Sequence, residues 1–185
     1  IPADEYSFTS DWFSGHVPVW SAFIDELAPV GKILEIGSYE GRSTAWLIEN
    51  AFKASGKGEI FCIDTWAGGV EHRDMDMQEV EQRFIHNTGL ARTKTAADVA
   101  IQRCKGASFE QLVALNQSGH GATFDLIYVD GGHQCADVLG DLVLAFALCK
   151  VGGLIICDDY LWLYGKNEKQ NLLNQPKLAI DSFVN

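Results

Sequence analysis

The stretch "ILEIGSYEGRSTAWL" at residues 33–47 changes its period in the middle. A short apolar run with Glu35 near its end gives way to Gly37 and Gly41, and then Thr44, Leu47, Ile48, Ala51 and Phe52 recur at helical spacing. This reads as a buried strand, a tight turn and an amphipathic helix in series, the first half of a βαβ unit. The glycines do not follow the GxGxxG spacing of dinucleotide-binding turns. By themselves they predict either a tight connection or a backbone that must approach a ligand closely.

Outward from that stretch the same alternation continues. Short apolar runs bounded by Gly or Asp predict strands at 32–36, 59–63, 124–129 and 153–157, with a weaker one at 99–103. Helical stripes lie between them: Trp20, Phe23, Ile24 and Leu27 behind Pro18; residues 74–88; residues 109–115; and Val138, Leu139, Leu142, Val143 and Phe146. A polar loop is expected at 165–175, followed by a last helix from Pro176 through Leu178, Ile180 and Phe183. The alternation predicts an α/β fold, a Rossmann-like doubly wound sheet, mostly parallel, with helices on both faces. Residues 1–185 are read as a single domain, with an N-terminal helical cap at 1–30, a cofactor-binding core at 31–160 and a C-terminal loop and helix at 161–185.

Composition narrows the function. A net charge of -11 argues against nucleic acid, whose phosphates need basic partners, and against an anionic membrane surface. No apolar run reaches the roughly 18 residues of a membrane span. The five cysteines, Cys62, Cys104, Cys135, Cys149 and Cys157, are odd in number and contain no CxxC, so they predict neither a disulfide frame nor a thiolate metal site, and a reducing, cytoplasmic setting is expected.

In doubly wound folds ligands bind outside the carboxyl ends of the strands. Those ends are acidic here: Glu35 on the first strand, Asp64 in "FCIDTW", Asp130 in "YVDGGHQ", and Asp158 and Asp159 in "IICDDY". One such acid is ordinary turn chemistry, whereas acids on four strand ends predict a site. Asp64 suits the two hydroxyls of a ribose, so a nucleoside-containing cofactor is expected.

The glycine turn resembles the first motif of class I S-adenosylmethionine-dependent O-methyltransferases, in which a Glu-x-Gly-x-x-x-Gly-x-Ser segment wraps the methionine end of the cofactor. "GASFEQL" at 106–112 resembles the adenine-packing loop of catechol O-methyltransferase, and "FDLIYVDGGH" through "GGLIICDDYLW" is similar to the cation-binding segment of the caffeoyl-CoA O-methyltransferases. "DWFSGHVPVW" looks like bacterial relatives that modify macrolide sugars and other secondary metabolites. The resemblance covers roughly 32–162 and implies a cation-dependent O-methyltransferase. By position it implies that Glu35, Gly37, Ser38, Tyr39, Gly41 and Ser43 hold the amino-acid part of the cofactor and that Asp64 binds the ribose. Thr65 and Trp66 would lie beside the adenine, with Gly106, Ala107 and Ser108 meeting it from the other side. Asp130 would border the cofactor and, with Asp158 and Asp159, ligate the metal. His133 would be the catalytic base, standing where relatives carry lysine. Asp159 replaces an asparagine ligand, and Gly131 and Gly132 replace bulkier residues. The pattern also implies a C-terminal antiparallel hairpin after the fifth strand, which is expected to be truncated here: either the sequence is a fragment, or the fifth strand keeps an open edge or a homodimer surface.

Three aspartates without Cys or His suit a hard cation, Mg²⁺ first. The expected reaction is transfer of the methyl group of S-adenosylmethionine to a hydroxyl of a small molecule, a catechol, a vicinal diol or a sugar. The alternatives are a metal-independent methyltransferase, an NAD-type oxidoreductase and a non-catalytic cofactor-binding domain. Asp137 and Asp141 read as water-facing complements to a helix N-terminus. His72, His86 and His120 read as surface residues, the aromatics Trp12, Phe13 and Trp20 around His16 as packing, and Trp162 and Tyr164 as candidate substrate contacts.

Overall fold

The computed structural model describes residue 2 and residues 4–69, 76–163 and 171–185. Five parallel strands, β1 (Lys32–Ile36), β2 (Lys57–Asp64), β3 (Asp98–Lys105), β4 (Phe124–Val129) and β5 (Cys149–Cys157), form one sheet in the order β3-β2-β1-β4-β5. The order reverses between β1 and β4, so a crevice opens there at the carboxyl ends. Helices α1 (Val17–Leu27), α2 (Arg42–Asn50) and α3 (Met77–Lys94) accompany a buried cluster on one face that includes Ile33, Leu47, Ile48, Phe52 and Phe84. Helices α4 (Ser108–Gln117), α5 (Cys135–Leu148) and α6 (Pro176–Val184) accompany a second cluster around Leu34, Ile36, Leu112, Phe124 and Leu142 on the other. The predicted doubly wound sheet is therefore present. Both faces are covered, which is why the strands read as continuous apolar runs.

Several elements differ from the sequence expectation for local reasons. β5 begins at Cys149, because Phe124 still pairs with Cys149 before a bulge shifts the register, and Gly152 turns through φ +82°. α3 runs to Lys94, beyond the expected end at 88, with the Thr88 hydroxyl returned to the Phe84 carbonyl and Gly89 lying within the helix. Asp76 caps its start by accepting the Gln78 N–H, while residues 74 and 75 lie outside the described ones, as does most of the expected 165–175 loop. The described end of that loop contains a 3₁₀ turn, Leu172–Asn174. Among the described residues no strand pairs with β5 on the side away from β4.

Two contacts set the position of the crevice. Asp125 accepts the N–H groups of Gly31 and Lys32 at 2.9 and 2.8 Å and an ion pair from Lys150, so one buried carboxylate fixes the start of β1 against β4 and β5. At the other end Gly37 has φ +86°, and a Cβ built on it would lie 1.9 Å from the Asp130 carbonyl oxygen. The Asp130 N–H donates to the Ile36 carbonyl at 2.8 Å, and the Gly37 N–H to the Ile63 carbonyl at 2.8 Å. Three strand ends thus converge on one glycine. Gly37→Ala is expected to lower stability by roughly 3 kcal/mol or more, from left-handed strain and backbone overlap together; chemical denaturation checks this, and a loss below about 1 kcal/mol would mean that the strand ends can separate freely.

Candidate active site

The turn after β1 is organised by carboxylates that point inward. Glu35 is fully buried and accepts the hydroxyls of Ser38 at 2.7 Å, Ser43 at 2.6 Å and Thr44. Burial pushes its carboxyl up, against the opposing effect of the three hydroxyls. Glu35, Ser38 and Ser43 were expected to hold the amino-acid end of a cofactor; here their side chains are engaged with one another and shape the turn. Asp64 works from the next strand. Its Oδ2 accepts the Ser38 and Tyr39 N–H groups at 3.0 and 2.8 Å, and its Oδ1 accepts the Trp66 N–H at 2.7 Å. About four acceptor positions exist on a carboxylate, so little of Asp64 is left for a ribose. Tyr39 adopts φ 46° and Gly41 φ 76° to complete the turn.

Trp66 is corrected. It was expected beside the adenine, but it is buried, packs at 4.8 Å on Phe84 and donates its indole N–H to the Tyr39 carbonyl. Thr65 is exposed beside it, accepting the Ala67 N–H. Across the crevice, Gly106 at φ 152° donates to the Asp64 carbonyl, Ala107 is exposed, and Ser108 opens α4. The β2 and β3 ends are therefore tied together at the edge of the crevice.

Glu40 was quoted in the turn but given no role. It is buried, accepts the Thr9 N–H and hydroxyl at 2.7 and 2.8 Å, and pairs with Arg83 at 2.6 Å. Asn87 adds bonds to Ser7 and to the Glu40 carbonyl, so the N-terminal segment is laid on the glycine turn. Phe13 and Trp20 belong to the core as expected, whereas Trp12 is 64% exposed and packs on Tyr39 at 5.3 Å.

The acids of β4 and β5 meet over Tyr128. Its hydroxyl contacts Asp130 Oδ2 at 2.9 Å and, more closely, Asp158 Oδ2. A phenol has one hydrogen, so both contacts hold only when one carboxyl is protonated and donates to the phenolic oxygen. Asp130 suits that role, because burial first, then Asp158 and Asp159, push its carboxyl well above the usual range. Burial first, then Asp130 and Asp158, also push the Tyr128 phenol strongly up. Tyr128 was read only as a strand residue, although it precedes Asp130 by two and so shares its side of the strand. Asp159, at φ 56°, contacts His133 Nε2 at 2.7 Å, and the imidazole stacks on Trp162 at 4.1 Å. A small cavity between these groups is lined by Asp130, Gly131, Gly132, His133, Asp158 and Asp159. Tyr164 and His72 lie outside the described residues.

The donor set fits a hard divalent cation in its chemistry: three carboxylates, with a repulsion among them that a cation would relieve. Among the described residues, no group of three or more His, Cys, Asp or Glu side chains already stands as a metal cluster. Asp159 is turned to His133, and Asp130 and Asp158 are turned to Tyr128.

Asp137 is exposed as expected, but Asp141 is not. It was expected to face water, yet it is 2% exposed, and its Oδ2 has no hydrogen-bond partner. Position 141 falls three residues after Val138 and four before Ala145 on the buried stripe of α5, a signal already present in the spacing. Burial pushes its carboxyl up to about 6, with Asp137 adding to the rise and Ser108 opposing it. A raised acid binds its proton more tightly folded than unfolded, so its ionisation costs stability as pH climbs from about 4 through about 6. Asp141→Asn is expected to remove a loss of about 3 kcal/mol over that window; urea midpoints of both proteins between pH 4 and 7 check this, and parallel curves would show that Asp141 ionises without penalty.

A doubly wound sheet with acids at its switch point and a glycine turn that is not GxGxxG defines a Rossmann-like domain for a nucleoside-bearing ligand. A family model described as a methyltransferase domain matches residues 34–160, and the chain belongs to that family. The NAD-type alternative is thereby set aside. MycE, a methyltransferase from the mycinamycin biosynthetic pathway solved with Mg and SAH, superposes with a TM-score of 0.51 and 22% identity over 82% of this chain. The chain spans 36% of the length of MycE. The O-methyltransferase NovP gives a TM-score of 0.60 at 15% identity, over 91% of this chain and 70% of NovP. A Corynebacterium glutamicum protein gives 0.53 at 14% identity, over 89% of this chain and 68% of that protein. At these identities the likeness bears on the fold. No curated protein matches the chain at a significant level. Among the described residues no helix is long and apolar enough to cross a membrane.

Proposed function

We propose that this domain transfers the methyl group of S-adenosylmethionine to a hydroxyl of a small molecule bearing two neighbouring oxygens, a catechol, a vicinal diol or a sugar, with a divalent cation, Mg²⁺ first. One observation carries the reading. The backbone of Asp130 lies against Gly37 of the glycine turn, while its carboxyl shares Tyr128 with Asp158. A cofactor wrapped by the turn and an acceptor held over the acids would therefore be neighbours, as methyl transfer requires. The Mg and SAH found with MycE support the same pairing of ligands.

Asp130, Asp158 and Asp159 would hold the cation, which when bound lowers the pKa of a chelated hydroxyl. His133 is placed to take the hydroxyl proton. Its contact with Asp159 and its stack on Trp162 hold the ring in place. S-adenosylmethionine would supply the methyl group, its C–S bond breaking as the C–O bond to the acceptor forms.

Calorimetry is expected to show S-adenosylmethionine binding that Mg²⁺ strengthens in the wild type but not in Asp130→Ala. Absence of cofactor binding overturns the reading, and binding indifferent to Mg²⁺ selects the metal-independent alternative. His133→Ala is expected to keep cofactor affinity while methyl transfer to a catechol or diol falls about 10²-fold or more; an unchanged rate would make His133 a turn residue.

A further inference from the structure

Asp130 and Asp158 come from the ends of different strands, and one phenol spans the gap between them. Both acids line the small cavity beyond β4, together with Asp159 and His133. Tyr128 stands behind them on the core side, 2% exposed and two residues before Asp130. Its hydroxyl reaches Asp130 Oδ2 at 2.9 Å and also Asp158 Oδ2. The buried ring of Trp20, from α1, meets the Tyr128 ring edge-on at 4.8 Å and holds it in place. Asp158 is gripped at both oxygens, since its Oδ1 accepts the Asp159 N–H at 2.8 Å. Its own N–H donates to the Val129 carbonyl at 3.0 Å, which ties the end of β5 to β4.

We propose that Tyr128 is a positioning residue for the divalent cation, acting through Asp130 and Asp158. This rests on the reading of the site as cation-dependent. Two carboxylates on neighbouring strands repel each other, and without a shared partner they turn apart. A cation that must first regather them binds less tightly than one that meets them already in place. The phenol supplies that partner from the core side, and both acids still border the cavity. Phenylalanine at position 128 would keep the ring and its packing on Trp20. It would, however, set an apolar edge against both carboxyls and offer a hydrogen bond to neither.

The test is calorimetric titration of MgCl₂ into the wild type and Tyr128→Phe, both saturated with S-adenosylhomocysteine, so that binding is read without turnover. Tyr128→Phe is expected to bind Mg²⁺ roughly 10- to 100-fold more weakly, the usual cost of losing a partner that orients a metal ligand. Its affinity for S-adenosylhomocysteine is expected to stay unchanged, because among the described residues the phenol hydroxyl bonds only to the two acids. Mg²⁺ binding that is equal or tighter in Tyr128→Phe overturns the proposal and leaves the cation reading standing. So does a parallel loss of both affinities, which would make the phenol a support of the crevice as a whole. A wild type that binds S-adenosylhomocysteine but no Mg²⁺ overturns the cation reading, and this inference with it.

Discussion

The carbonyl of Asp130 occupies the space that any side chain at position 37 would need, and much of the structure follows from that contact. Parallel strands can present a shared crevice only where their ends approach each other, and here the approach is backbone against backbone. Gly37 bonds to β2, Asp130 bonds to β1, and Asp158 bonds to β4 through the Val129 carbonyl. The order of the sheet places these ends side by side at the reversal between β1 and β4. Ligand chemistry on either side of that point is therefore held by the rigid part of the fold rather than by its loops.

The chain spends buried charge to keep the crevice in shape. Glu35 takes three hydroxyls, Asp64 takes three backbone N–H groups, and Glu40 takes Thr9 and Arg83. Each carboxylate would be costly alone and is tolerable because its lone pairs are filled. The consequence is a division of labour along the strand ends. Acids of β1 and β2 look inward and hold the hydroxyls and N–H groups of the turn, while acids of β4 and β5 crowd one another at the crevice. The crowded set is moderated by a phenol, an imidazole and the Asp159 N–H. A cation or an acceptor hydroxyl gains most from entering there.

Much of this was legible in the sequence. The periods of β1 and β4 gave their bounds as found, because both are buried on two faces and end abruptly at Gly or Asp. The acids at the strand ends were visible because an aspartate closing an apolar run has few other reasons to be there. Boundaries failed where local chemistry was permissive: α3 passes through Gly89, and β5 starts before its bulge. Tyr128 and Asp141 were missed for a common reason, since each obeys the spacing of its element and its meaning lies in what the neighbouring element brings to it.

What the sequence determined by itself is the alternation of strand and helix, the doubly wound class and the inventory of acids, because these depend on period and on turn chemistry, which are local. Tertiary structure alone decided which acids are engaged within the fold. Glu35 and Asp64 were read as cofactor contacts, and their oxygens are largely taken by hydroxyls and N–H groups of the turn. Trp66 was placed beside a base and is a core residue, and Asp141 was placed in water and is buried between α4 and α5. The direction of a side chain is set by the packing of elements distant in sequence, and a one-dimensional pattern carries the residue type without that direction.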